Sequence, residues 1–108
     1  MPAYDLTPFT ARDRDGFTRV WCRLTWTPRG GDATRSAVGD YLDTHCGSPV
    51  MCCGMEEAAD AIGFADLDDD YMVMVAELID RQLAMSPKAE LHCPEGHLTV
   101  TLTEPPRG

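Results

Sequence analysis

The stretch from His92 to His97, His-Cys-Pro-Glu-Gly-His, holds two imidazoles and a thiol around a turn. Imidazole nitrogen and thiolate sulfur are the donors that a tetrahedral zinc ion takes, so His92, Cys93 and His97 form a candidate half-site for Zn. Cys46, Cys52 and Cys53 could supply the remaining ligands. They fall around an expected helix end and the next helix start, where N–H dipoles lower a thiol pKa and favour the thiolate.

Two features weigh against this chemistry. Neither cysteine group has the C-x2-C spacing of a zinc ribbon, and the adjacent Cys52 and Cys53 cannot both turn easily toward one ion. In the competing reading the cysteines are small buried hydrophobes and the hairpin histidines are exposed. Cys22 fits that reading best, because it alternates with Val20, Leu24 and Trp26. Met51 and Met55 beside the cysteine pair, with Met72 and Met74 further on, raise a soft metal such as Cu(I), which thioether and thiolate ligands prefer. Met74 is better explained as core on an apolar helix stripe.

Catalytic chemistry has less to build on. Cys52 or Cys53 with His92 or His97 would make a nucleophile and base. The chain has no nucleophile elbow, no glycine-rich phosphate loop and no HExxH pattern. Asp68, Asp69 and Asp70 lack the spaced oxygen ligands of a calcium loop and suit the positive end of a helix instead. The sequence points to a non-enzymatic protein.

The elements that must position these residues follow from periodicity. Residues 1–16 read as an irregular arm ending in a turn. Phe17–Thr27 alternates, with Val20, Cys22, Leu24 and Trp26 on one face and Arg19, Trp21, Arg23 and Thr25 on the other, as in a half-buried strand. Asp32 then suits a helix N-cap, with Val38, Tyr41 and Leu42 at helical spacing and Gly47 closing it. A second helix start is expected at Ser48-Pro49 or, after Gly54, near Met55, and this segment ends at Gly63. Asp66 caps the most regular helix, whose expected apolar stripe is Tyr71, Met74, Val75, Leu78 and Ile79. Ser86-Pro87 stops it.

The end of the chain reads as a hairpin. Pairing Leu91 with Leu98 and Ala89 with Val100 matches apolar to apolar, leaves Cys93–Gly96 as the loop and sets His92 opposite His97. The order of elements predicts an α+β fold: a small antiparallel sheet, made of the N-terminal strand and the C-terminal hairpin, with two or three helices packed on one face. At 108 residues one domain spanning 1–108 is expected, with a tail over 104–108.

Composition narrows the partners. The chain is 44% hydrophobic and 25% charged, ordinary for a globular protein, but its formal net charge is -9. No apolar stretch approaches the length of a membrane span and the first residues lack a signal-peptide core, so a cytoplasmic protein is expected. Five cysteines, two of them adjacent, suit free thiols better than a disulfide framework. Residues 1–36 hold six basic and four acidic side chains, residues 37–80 eleven acidic and none basic, and residues 81–108 three of each. The negative charge therefore sits in the helical half, where no Lys or Arg can form the usual helix-surface pairs.

That half has a bland explanation, a solvated face kept for solubility. Its functional explanation is an acidic docking face for a basic partner protein, steered by charge. Glu56, Glu57, Asp66, Asp68, Asp69 and Asp70 would carry the contact, with Trp21 either covered by a helix or serving as an interface anchor. Such a module would regulate or inhibit its partner, for instance by imitating nucleic-acid charge. Direct nucleic-acid binding is disfavoured, because the one helix-loop-helix begins its second helix with Leu-Asp-Asp-Asp, which repels phosphate. An intramolecular account, in which Arg19 and Arg23 neutralise part of the acidic helices, stands beside the docking one.

Overall fold

One long strand organises the molecule. In the computed structural model, which describes residues 4–31, 33–42, 53–63 and 69–106 and only the backbone of residues 53 and 69–73, strand β2 runs from Thr18 to Pro28. Its alternation is the one expected: Val20, Cys22, Leu24 and Trp26 are buried, and Arg19, Trp21, Arg23 and Thr25 face the other way. Short strand β1 (Thr10–Arg12), β3 (Arg35–Leu42), β4 (Lys88–Cys93) and β5 (Gly96–Leu102) complete a five-stranded antiparallel sheet. β3 takes one edge of β2, while β1 and β5 share the other edge end to end and β4 lies outside β5. Helices α1 (Cys53–Ala61) and α2 (Asp69–Leu83) pack on one face, α1 over β3 and α2 over β4. The fold is α+β, with a larger sheet than the sequence suggested and two helices among the described residues.

The largest correction is β3, where a helix was expected. Val38, Tyr41 and Leu42 do fit helical spacing, but the segment alternates: Gly39 and Tyr41 are buried on one face, while Val38, Asp40 and Leu42, on the other, are only half-buried. The turn before them decides between the two. Gly30 and Gly31 adopt φ of 102° and 89°, a conformation that only glycine reaches without strain, and they reverse the chain so that β3 pairs with β2 from Trp26–Arg35 to Arg19–Leu42. Gly39 then has a packing role. A Cβ there would meet Gly54 O at 2.8 Å and Ala58 Cβ at 2.9 Å, so glycine lets α1 lie close on the strand. Ser48-Pro49, the other expected helix start, lies outside the described residues, as does the Asp66 cap.

The arm is also more structured than expected. Leu6 and Phe9 pack against the core, the Tyr4 hydroxyl donates to Leu83 O at the end of α2, and β1 joins the sheet. Burial raises the Tyr4 pKa, with the nearby Cys22 thiol adding to the shift.

The core is one cluster. From the sheet it takes the inward row of β2 with Tyr41, Ala89, Cys93, Leu98, Val100 and Leu102, and from the helices Met55, Ala58, Ala59, Ile62, Val75, Ile79 and Leu83. Each large aliphatic side chain buried this way contributes about 1.5–3 kcal/mol. In α2 the buried arc is displaced from the expected stripe: Val75 and Ile79 are in it, Leu78 is half-buried, and Met74 is exposed. The outer edge of β4 is closed by Gln82, whose amide accepts from Glu90 N at 2.9 Å and donates to Glu90 O at 2.8 Å. That pairing occupies backbone groups that would otherwise template another strand.

Candidate functional site

The hairpin has the register read from its apolar residues. Leu91 pairs with Leu98, His92 with His97 and Ala89 with Val100, and the loop is tighter than four residues because Cys93 also pairs with Gly96 around Pro94-Glu95. Glycine is needed at 96, where a Cβ would press within 2.9 Å of the Trp26 ring. The two imidazoles stack, with centroids 4.1 Å apart and planes 7° from parallel. His97 Nε2 lies 3.7 Å from Glu90 Oε1. Beside them Thr27, Arg29 and Gly96 help line a shallow depression of about 240 Å³.

Among the described residues, the hairpin does not aim its two imidazoles and its thiol at one point. An imidazole binds a metal through a lone pair in its ring plane, and two near-parallel planes 4.1 Å apart do not converge on one ion. Cys93 is one residue from His92, so the pleat sends it to the opposite, core face; it is buried and its Sγ donates to Gly96 O at 3.2 Å. Among the described residues no three His, Cys, Asp or Glu side chains stand together as a metal-binding group. Cys46 and Cys52 lie outside the described residues, as does the side chain of Cys53. Cys22 is a fully buried thiol whose pKa is pushed up to about 12 by burial, with the Asp40 charge adding to it, which favours the protonated thiol.

The acidic candidates sit elsewhere. α1 turns Met55, Ala58, Ala59 and Ile62 to the sheet and leaves Glu56, Glu57 and Asp60 exposed, with Glu56 and Asp60 one helical turn apart. On α2 Glu77 is exposed. Asp69 and Asp70 open α2, but their side chains lie outside the description, as do Asp66 and Asp68 entirely. Among the described residues, Glu56, Glu57, Asp60 and Glu77 take part in no ion pair.

The intramolecular account fails for Arg19. Its guanidinium bridges Asp13 Oδ2 at 2.8 Å and Asp40 Oδ2 at 2.7 Å, partners from the turn before β2 and from β3 rather than from the helices. The hydrogen bond from Arg19 holds the Asp13 carboxyl below its usual pKa, helped by the Phe17 backbone N–H. Arg23 Nη1 donates to Ser36 Oγ at 3.3 Å, also within the sheet. Trp21 lies on the same uncovered face, across from Asp40; it is half-buried, no described helix covers it, and its Nε1 is buried without an acceptor among the described residues.

Sequence reasoning missed the Arg19 bridge because it placed Asp40 on a helix. The signal was present in the alternation of residues 36–41, which sets Asp40 beside Trp21 and next to Arg19 once β3 is read as a strand.

No protein-family model matches the chain, and no curated protein or solved structure matches it.

Proposed function

We propose that this protein is a small acidic binding module that docks its helical layer on a basic surface of a partner protein and regulates or inhibits that partner, imitating the charge of a nucleic acid. The observation that carries the reading is that Glu56, Glu57, Asp60 and Glu77 make no ion pair among the described residues, in a stretch where residues 37–80 contain no Lys or Arg. Carboxylates held together on a helix surface repel one another by a few tenths of a kcal/mol per close pair. A cationic partner removes that repulsion and gains charge-assisted hydrogen bonds in the same step. Long-range attraction also speeds encounter, and it is screened beyond about 10 Å at 0.1 M salt.

Isothermal titration of the intact chain with a lysine-rich peptide tests this. Affinity should fall steeply between about 0.05 M and about 0.3 M salt, and the variant E56Q/E57Q/D60N should bind more weakly at low salt. Salt-independent binding, or a triple variant that binds as the parent does, refutes it.

A further inference from the structure

The two outer edges of the sheet are finished differently. The edge of β4 is closed by Gln82, whose amide takes both backbone groups of Glu90. That of β3 has no such cover among the described residues. Thr103 N donates to Trp21 O at 3.0 Å and Arg29 N to Glu95 O at 2.9 Å, so odd-numbered residues of β2 turn their N–H and C=O groups toward β5 and even-numbered ones toward β3. Cys22 therefore bonds to Gly39 and Leu24 to Ala37, while Ser36 and Val38 point their N–H and C=O groups away from the sheet. No described residue donates to these groups or accepts from them. The open ledge ends at Asp40, where Gly54 comes so close that a Cβ on it would lie 2.5 Å from Asp40 O.

We propose that the Ser36–Val38 edge of β3 captures an extended segment of a partner protein by strand addition. It stands independently of the acidic-face reading. Backbone donors and acceptors at alternate residues are the chemistry that another extended main chain satisfies. Nothing in these residues resists such pairing: Ser36-Ala37-Val38 carry no charge and no proline, and the ladder to β2 runs without a bulge from Trp26–Arg35 to Arg19–Leu42. Helix packing excludes a second copy as the occupant. α1 packs over β3 and barely reaches β2, so it lies above the edge strand itself. Two β3 strands side by side would stand about 4.8 Å apart, whereas packed helices need about 8–10 Å between their axes, so two copies could not pair here and both keep α1 in place. Pairing β3 with the β4 edge of another copy is blocked by Gln82. What fits is a segment with no helix above it, recognised through its main chain.

Amide hydrogen exchange of the intact chain reads these bonds one by one. In the free protein Ser36 and Val38 should exchange about tenfold faster than Ala37 and Gly39, whose N–H groups bond to β2. A saturating, end-capped and uncharged peptide alternating valine and threonine should slow Ser36 and Val38 about tenfold, and the same peptide N-methylated at every residue should not. Val38→Pro removes an outward donor and no ladder bond, so it should abolish the protection of Ser36 while leaving the thermal melt unchanged. Protection of Ser36 and Val38 in the free monomer, exchange that the peptide leaves unchanged, or equal protection by the methylated peptide overturns the proposal. Protection that grows with protein concentration and is lost in Val38→Pro overturns the occupant in favour of a second copy. Because the peptide is uncharged, its failure leaves the acidic-face reading standing.

Discussion

The sheet and the helix layer treat charge in opposite ways. On the sheet face away from the described helices Arg19 is clasped by Asp13 and Asp40, and Lys88 stands 3.4 Å from Glu90. On α1 three exposed carboxylates make no ion pair among the described residues. The sheet's charges are answered locally by the fold. Glu56, Glu57 and Asp60 are not answered in this way among the described residues, and this difference is why the proposed function is sought on the helix side although the sheet has the more varied chemistry.

Substitutions that separate the two faces of β2 should have the largest effects. Leu24 is 2% exposed beneath the helices, so Leu24→Ala should cost about 2–5 kcal/mol in urea unfolding. Thr25, its neighbour on the uncovered face, should tolerate alanine with less than about 1 kcal/mol lost. Comparable losses at the two positions would mean that something covers the second face as well. Next is the contact on which α1 depends. Gly39→Ala places a methyl against Gly54 O and Ala58 Cβ, and should destabilise by about 1–3 kcal/mol with loss of helical circular dichroism at a lower temperature. A neutral result would show that α1 rides further from β3 than described.

A smaller effect comes from the sheet's ion pairs. Arg19→Gln should cost about 1 kcal/mol or less, because the guanidinium is 35% exposed. The pH dependence is more specific than the size. Asp13 has a lowered folded pKa, so its contribution is present above the ordinary carboxylate value, about 3.9, and is lost as pH falls through the lowered one. Acid unfolding of the parent chain should therefore be steeper than that of Arg19→Gln. Parallel acid limbs would remove the Asp13–Arg19 interaction from the account. Smallest of all, E56Q/E57Q/D60N should leave stability unchanged or raise it by a few tenths of a kcal/mol, since it removes repulsion and breaks no pair.

The two halves were also unequally legible. The hairpin could be read to the residue because both strands carry apolar side chains at matching alternate positions, so that one register alone buries them all. Strand parity in the same residues separates Cys93 from the histidines, a consequence that a search for metal-ligand types passes over. β3 was misread because Val38, Tyr41 and Leu42 fit the helical period while the strand face is carried by Gly39 and Tyr41, and the evidence that chose between them is the Gly30-Gly31 turn together with the approach of α1 to Gly39, a contact with residues distant in sequence. On α2 the amphipathic arc was visible, but which part of it the sheet would cover depended on how the helix sits over β4. The acidic layer could be seen in the charge count. That Glu56, Glu57 and Asp60 make no ion pair among the described residues could not, since where Arg19 and Arg23 go was fixed by strand pairing.

The central claim concerns where the charge acts, not how much there is. Binding of a lysine-rich peptide should therefore be compared, at one low salt concentration, between E56Q/E57Q/D60N on the helix layer and E90Q/E95Q/E104Q at the hairpin and the end of the chain, two variants with the same net charge. The account predicts that the helix variant loses most of the affinity while the second binds close to the parent chain; equal losses in the two variants would contradict it.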